Sequence, residues 1–186
     1  MRQASWAVFL SGRGSNAEAL WGNLSELDIR LCVSSRKSAA GLLRARRSGI
    51  PTLTLESKPD WDNLTSELKH RGISQIFLLG FMKILPAAFV DQWKTKIWNL
   101  HPSLLPDFAG AHAIENSYAQ GAAIGVSVHE VTAEMDAGPL FLQRQLVDKA
   151  KEKNHSLSFE EVQMEISVCE QRLVRETAIR RSLRKA

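Results

Sequence analysis

The sequence lacks the features that mark disulfide-rich, zinc-binding and membrane proteins. Only two of its 186 residues are cysteines, Cys32 and Cys169, and neither stands in a C-x-x-C pair or beside a group of histidines. Neither a disulfide framework nor a zinc site is therefore expected. No apolar run approaches the roughly 20 residues that cross a bilayer. The first residues also lack the basic start, apolar middle and small-residue cleavage pattern of a signal peptide. We expect a cytoplasmic protein without a membrane partner.

A large excess of charge of one sign is also absent. Lysine and arginine number 24 against 20 aspartate and glutamate, a formal net charge of +4. The excess lies mainly in residues 44–47 and 172–185, where no interleaved aromatic residues or binding motif accompany it. We interpret both segments as solvated helix faces and expect no nucleic-acid partner. The length and the 44% apolar content fit one domain over residues 1–186.

The sequence does contain a regular alternation of short apolar runs and amphipathic segments. Four apolar runs are predicted strands, at 7–10, 29–34, 52–55 and 73–79. Three segments between them are predicted helices, at 16–24, 39–48 and 61–71. Near-continuous apolar strands that alternate with helices predict parallel βαβ units, with helices on both faces of one sheet.

The regular alternation of strands and helices changes after Gly80. Further helices are predicted at 87–93 and 114–120, and further strands at 97–100, 125–131 and 140–147. Ser158 and Glu161 form a capping-box pattern that predicts the start of a long last helix. The predicted class is α/β, an open, mostly parallel, twisted sheet with helices on both faces and a long C-terminal helix.

A glycine loop, "SGRGSN" (residues 11–16), follows the first predicted strand and opens the first helix. Glycines let the backbone approach a ligand closely, and the N–H groups of the following helix favour an anion. Gly12, Gly14 and Ala17 also satisfy the loose G-x-G-x-x-A dinucleotide pattern. An NAD enzyme would carry an acidic residue after the second strand, where this chain has "SSRK" (34–37), so NAD is disfavoured. An NADP-binding or non-catalytic nucleotide-binding module, or a tight turn that binds nothing, remains an alternative.

Asn99 and His101 interrupt the apolar run "IWNLHPSLLP" (97–106). Alternate residues of a strand share a face, so both side chains project together, and Pro102 ends the strand beside them. Open α/β sheets place their active sites at such carboxyl ends. Asp136, in the loop "TAEMDAGP" (132–139), could meet His101 in space. An Asn, a His and an Asp suggest proton transfer and oxyanion stabilisation without a covalent nucleophile.

The segments "SGRGSN", "LLGFMKILPAAFV", "NLHPSLLP" and "GVSVHEVTAEMDAGPLFLQ" carry a family likeness. Over roughly residues 6–175 the chain resembles the folate-dependent formyltransferase family, and within it the glycinamide ribonucleotide formyltransferases. The resemblance implies a Rossmann-like formyltransferase fold. It also implies direct transfer of a formyl group from 10-formyltetrahydrofolate, as cosubstrate, to a primary amine of a small-molecule acceptor in purine biosynthesis.

The resemblance also implies the roles of particular residues. Asn99, His101 and Asp136 would be catalytic. The acceptor phosphate would be held by Arg13, Gly14, Ser15 and Asn16. The folate would be bound by Met82, Lys83, Ile84, Leu85, Val131 and Met135. Further substrate contacts would come from His112 and Glu170.

No metal is expected, because His70, His112, His129 and His155 show no metal-ligand spacing such as H-E-x-x-H. We interpret His129 as a structural strand residue.

The segment after "SLLP" departs from the family pattern. Where ribonucleotide formyltransferases carry a P-G-x-H-x-H-like sequence, this chain has Ala109 for the proline and Ile114 for the second polar residue. Lys83 stands where a folate-contacting arginine is common, and the two cations are not equivalent at a bidentate site. A formyltransferase acting on another amine is therefore the alternative function, and glycinamide ribonucleotide would then be a poor substrate.

Overall fold

Seven strands form one sheet in the computed structural model, which describes residues 3–22, 26–147 and 157–183. The strands are β1 Ser5–Leu10, β2 Asp28–Ser34, β3 Thr52–Thr54, β4 Gln75–Leu78, β5 Ile97–His101, β6 Ile124–Glu130 and β7 Leu140–Val147. Their order across the sheet is β3-β2-β1-β4-β5-β6-β7. The first five strands run parallel, and β6 and β7 join in antiparallel pairs. The mostly parallel open sheet predicted from the sequence is confirmed.

Six helices connect or follow these strands. They are α1 Ser15–Trp21, α2 Ala40–Arg47, α3 Trp61–His70, α4 Ala87–Gln92, α5 Ala113–Ala119 and α6 Phe159–Leu183. Each was predicted within a few residues, although the predicted end of the first helix, at 23–24, lies outside the described residues. The capping box at the start of α6 is confirmed: the Ser158 N–H donates to Glu161 Oε2 at 2.7 Å, and the Glu161 N–H donates to Ser158 Oγ at 3.2 Å.

Both faces of the sheet are buried. Along β1, Trp6, Val8 and Leu10 belong to an apolar cluster that includes residues of α1, α2 and α6. Ala7 and Phe9, which point the other way, belong to a second cluster with residues of α3 and α4. Each fully buried large apolar side chain contributes about 1.5–3 kcal/mol. Helices on both faces therefore follow from strands such as β1, in which every residue from Trp6 to Leu10 is apolar and buried.

The direction of strand addition reverses between β1 and β4. From β1 the chain adds β2 and β3 on one side, and then crosses to add β4 and β5 on the other. At such a switch point the loops after neighbouring strands diverge and leave a crevice at the carboxyl ends. The loops after β1 and β4 meet there, because the Ser11 N–H donates to the Gly80 carbonyl at 3.0 Å and Ser11 Oγ accepts from the Met82 N–H at 2.8 Å.

No helix among the described residues is long and apolar enough to cross a membrane.

Candidate active site

A cleft of about 710 Å³ opens at the carboxyl ends of β4 and β5. Its lining contains most of the residues singled out in the sequence, namely Asn16, Met82, Lys83, Ile84, Leu85, Asn99, His101, His112, Val131, Met135, Asp136 and Glu170. Arg13, Gly14 and Ser15 are outside this lining and directly precede Asn16 at the start of α1. The cleft therefore brings together residues that are up to about 150 positions apart in the chain, because sheet edges collect the ends of several strands.

Asn99, His101 and Asp136 converge in this cleft. The first two lie on one face of β5, and Asp136 lies in the loop between β6 and β7. Asp136 Oδ2 is 3.5 Å from His101 Nδ1, and Asp136 Oδ1 is 3.3 Å from Asn99 Nδ2. The Gly110 N–H donates to Asp136 Oδ2 at 2.9 Å. The carboxylate thus joins β5, the loop before α5 and the loop before β7.

The turn that carries Asp136 requires glycine at one neighbouring position. A Cβ atom at Gly138 would lie 1.8 Å from the Glu130 carbonyl oxygen, which no side chain tolerates. The close packing of this loop on the end of β6 directs Asp136, whose own φ is 52°, back toward β5. Non-glycine residues adopt positive φ only when their surroundings hold them there, as is common at functional sites.

The hydrogen bond of His101 identifies the ring nitrogen that carries a proton. His101 Nε2 is 3.0 Å from the Phe108 carbonyl oxygen, which only accepts, so Nε2 carries a proton. The other ring nitrogen, Nδ1, faces Asp136. The His101 side chain is only 6% exposed, so water competes weakly for both contacts. The imidazole is held in one orientation with its basic nitrogen next to a carboxylate.

His129 belongs to the same group of side chains. Its Nε2 lies 3.1 Å from Asn99 Nδ2 and 3.4 Å from Asp136 Oδ1, while its Nδ1 donates to the Glu130 carbonyl at 2.9 Å. The sequence-based interpretation of His129 as a strand residue holds for its backbone but missed these contacts. These contacts arise from the pairing of β5 with β6, which places His129 opposite Asn99. Antiparallel register is not readable from spacing alone, so the sequence did not supply it.

Asp136 is ionised at neutral pH. Its pKa is lowered to about 2, first by the hydrogen bond from His129, and further by the Gly110 N–H and the charges of His101 and His129, against burial, which raises it. A carboxylate in this state accepts hydrogen bonds and favours positive charge on either imidazole. The cleft can therefore hold a fixed negative charge beside the imidazoles of His101 and His129.

Asn16 and Glu170 pair at the other end of the cleft. The Asn16 Nδ2 donates to Glu170 Oε2 at 2.9 Å, and burial raises the pKa of Glu170 while this hydrogen bond opposes the rise. Asn16 Oδ1 is buried and has no partner among the described residues. One of the two amide N–H groups of Asn16 is therefore engaged with Glu170, and its Oδ1 is an acceptor that a ligand could use.

The glycine at position 14 has a packing reason. Gly14 has a φ of 75°, and a Cβ there would lie 2.7 Å from the Cα of Gly41 at the start of α2. The Gly41 N–H also donates to the Gly12 carbonyl at 3.1 Å. The close backbone approach that the sequence suggested at Gly14 is therefore made to α2.

Large apolar side chains stand at the mouth of the cleft. Met82, Ile84 and Met135 are all at least 65% exposed, an unusual degree for such residues. The Lys83 ammonium group donates to the Ser57 carbonyl at 2.8 Å, so its charge is engaged at the loop after β3. An apolar, planar ligand would cover these side chains on binding.

The segment that departs from the family pattern lies against the cleft. His112 is the N-cap residue before α5, has a φ of 59° and is exposed to the cleft. Ile114 also touches the cleft but packs against the first apolar cluster. The apolar residue at position 114 therefore has a role in the core. Among the described residues, no group of three or more His, Cys, Asp or Glu side chains is arranged to hold a metal ion.

Comparison with known proteins identifies the family. Residues 4–169 match the model of the family described as formyl transferase. This match covers well over half of the chain, and the chain belongs to the formyl transferase family.

Individual relatives indicate an activity within this family. The phosphoribosylglycinamide formyltransferase of Escherichia coli (strain K12) is 39% identical over 150 residues, which cover 73% of this chain and 69% of that protein. The trifunctional purine biosynthetic protein adenosine-3 of Homo sapiens is 37% identical over 153 residues, which cover 76% of this chain and 15% of that protein. The chain thus spans a small part of the length of the trifunctional relatives.

Solved structures agree with these matches. The crystal structure of phosphoribosylglycinamide formyltransferase from Anaplasma phagocytophilum superposes with a TM-score of 0.86 and 34% identity, over 94% of this chain and 85% of that one. The glycinamide ribonucleotide transformylase 1 from Geobacillus kaustophilus superposes with a TM-score of 0.86 and 30% identity, over 98% and 100%.

Proposed function

We propose that this chain transfers the formyl group of 10-formyltetrahydrofolate to the primary amine of glycinamide ribonucleotide. The observation that supports the proposal most is the meeting of Asn99, His101 and Asp136 in one cleft at the end of β5. The names of the relatives supply formyl transfer and the acceptor, and the resemblance to the folate-dependent family supplies the donor. Both substrates are small molecules, and the reaction needs no metal.

The reaction begins when the amine nitrogen attacks the formyl carbon and forms a C–N bond. The formyl oxygen takes up the electron pair and becomes an oxyanion. An N–H of Asn99 and a protonated His101 Nδ1 are the donors that stabilise it. The oxyanion then re-forms the carbonyl as the bond from the formyl carbon to the folate nitrogen breaks, and that nitrogen takes up the proton that the amine releases. The amine loses a proton, for which Asp136 is the acceptor, directly or through a water.

The protonation of His129 decides what Asn99 offers the substrate. When His129 is neutral, its Nε2 accepts one N–H of Asn99, and the other N–H faces Asp136 Oδ1. When Nε2 is protonated, it donates to Asp136 and releases an Asn99 N–H toward the cleft. We assign His129 the role of holding Asp136 and freeing an N–H of Asn99.

The acceptor occupies the end of the cleft next to α1 and α6. The phosphate would lie against the backbone N–H groups of residues 13–16, with Arg13 beside it. Glu170 and Asn16 Oδ1 would accept hydrogen bonds from hydroxyl groups of the acceptor. The folate would lie at the opposite end, where Met82, Ile84 and Met135 provide apolar surface.

An assay with 10-formyltetrahydrofolate and glycinamide ribonucleotide tests this function. Formation of deformylated folate is followed by absorbance, with Asp136→Asn as the inactive control. Turnover that depends on both substrates is expected. If the wild-type protein deformylates folate only with another amine, residues 109–116 define a different acceptor. If it binds neither substrate, the proposed function is wrong.

A further inference from the structure

Residues 102–108 connect β5 to the loop before α5 and end at the carbonyl that binds His101. Phe108, which supplies this carbonyl, has a φ of 54°. A phenylalanine adopts this conformation only when contacts on either side hold it. The orientation of His101 therefore depends on what holds residues 102–108.

The first contact comes from Ser127 on β6. Its hydroxyl donates to the Ser103 carbonyl at 2.6 Å and accepts from the Leu105 N–H at 3.1 Å. The Ser103 hydroxyl in turn donates to the Asp107 carbonyl at 2.7 Å, one residue before Phe108. Ser127 and Ser103 are both almost completely buried, at 0% and 2% exposure. These bonds tie the backbone of residues 103–107 to the sheet.

The second contact comes from Gln143 on the edge strand β7. Its Nε2 donates to the Leu105 carbonyl and to Ser127 Oγ, both at 2.9 Å. The Ser127 hydroxyl then donates once and accepts twice, which satisfies it fully. His101, Ser127 and Gln143 are cross-strand partners in a row over β5, β6 and β7, so all three lie on one face of the sheet.

We propose that Gln143 is a positioning residue for His101. It acts through Ser127 and Leu105, which hold the segment that ends at Phe108, and so keeps the proton of neutral His101 on Nε2. If this segment shifts, the Nε2 proton loses its acceptor and the Asp136 carboxylate attracts the proton to Nδ1. The imidazole also loses the contact that fixes its orientation, so Nδ1 is no longer directed at the oxyanion that it has to stabilise during formyl transfer. This inference rests on the proposed function for its kinetic consequence, whereas the position of the proton on the imidazole is independent of it.

Gln143→Leu and Gln143→Glu test the proposal in two ways, since Leu removes all polar contacts and Glu keeps the shape but loses both donors. Gln92→Leu is the matched control, because Gln92 Nε2 also donates a side-chain hydrogen bond, to Asp62 Oδ1 on α3. Both changes at position 143 should lower kcat about 10-fold, as expected when a catalytic group is misplaced, with the KM values of both substrates nearly unchanged. The control should keep the wild-type kcat.

Imidazole ¹⁵N NMR of the free proteins gives the second measurement. Wild-type His101 should show the protonated nitrogen at Nε2, and the two Gln143 variants should show a mixture of tautomers. A Gln143→Glu protein with wild-type kcat and an unchanged tautomer would overturn the proposal, as would a loss of kcat without any change of tautomer. If the wild-type protein does not formylate glycinamide ribonucleotide, the NMR comparison still decides the role of Gln143, so the two failures are distinct.

Discussion

The part of the chain before residue 95 and the part after it differ in how their turns are built. Up to residue 94, every described residue with a positive φ is a glycine. From residue 95 onward, Thr95, Phe108, His112 and Asp136 also have positive φ. The two buried histidines, His101 and His129, lie in this second part as well. The parallel strands of the first part form a scaffold whose positive-φ turns are made by glycine, and the non-glycine residues with positive φ and the buried histidines lie in the part that contains β5, β6 and β7.

The antiparallel strands explain why the site residues gather in the second part of the chain. A parallel partner for β5 would need a long crossover connection and would direct its carboxyl end to the same edge as β5. Because β6 runs the other way, its last residues lie beside the first half of β5, and the loop that follows them turns back over the cleft. His129 and Asp136 reach Asn99 and His101 by this route. Four predictions test the separation between scaffold and site.

The largest effect is expected for Asp136→Asn. The substitution keeps the shape but removes the charge that stabilises an imidazolium and accepts a proton. General acid–base catalysis typically supplies about 100-fold to 10,000-fold, so we expect kcat and kcat/KM to fall together by at least about 100-fold. Steady-state kinetics with both substrates measures this, with thermal unfolding as the check on the fold. A variant that keeps most of its kcat and shows only a raised folate KM would make Asp136 a binding residue.

Leu31→Ala should do the reverse of Asp136→Asn: it should lower the free energy of unfolding and leave kcat almost unchanged. Leu31 lies on β2 in the second apolar cluster and is 1% exposed. Removing a buried leucine side chain costs about 2–5 kcal/mol of the free energy of unfolding, through lost burial and the cavity left behind. Urea unfolding at neutral pH measures the loss, and kcat per folded molecule should stay within about twofold. A loss of kcat without loss of stability would contradict the separation of scaffold and site.

The acid stability of the protein should depend on Asp136. Its folded pKa of about 2 lies below the ordinary value of about 3.9 for an unfolded chain. The folded state therefore favours the ionised form, and the resulting stability is present above about pH 4 and lost as the pH falls toward 2. The contribution is about 2 kcal/mol. Urea unfolding at pH 5, 4 and 3 should show a steeper loss of stability in the wild type than in Asp136→Asn. Parallel curves would mean that Asp136 does not titrate with this shift.

Asn16→Asp should have the smallest effect of the four, confined to one substrate. The new carboxylate would face Glu170 Oε2, where the amide N–H now donates at 2.9 Å. Repulsion between the two groups should disturb the acceptor end and raise the acceptor KM about 10-fold, which corresponds to about 1.4 kcal/mol. The folate KM should change little. Asn63→Asp, at an exposed position on α3, is the matched control. Equal effects on both substrates would argue against placing the acceptor at this end of the cleft.

Much of the fold could be predicted because its signals are local. The apolar runs of β1, β2 and β4 and the capping box of Ser158 and Glu161 need no information from distant residues. Part of the site could be predicted as well, since Asn99 and His101 are two apart on one strand. The contact made by Lys83 could not be predicted, because the direction of its ammonium group depends on the Ser57 carbonyl in another loop. The need for glycine at position 14 could not be predicted either, because it comes from the close approach of Gly41 on α2.

By itself the sequence determined the order of strands and helices, the shared face of Asn99 and His101, and the glycines that the loops require. These follow from backbone sterics and from the periodicity of apolar residues. Only the tertiary structure decided that His129 lies opposite Asn99, that the Phe108 carbonyl holds the proton of His101 on Nε2, and that Gln143 reaches Leu105 from the edge strand. Each of these depends on register and on loop geometry, which are selected by the packing of the whole sheet and its helices and not by any neighbouring residue.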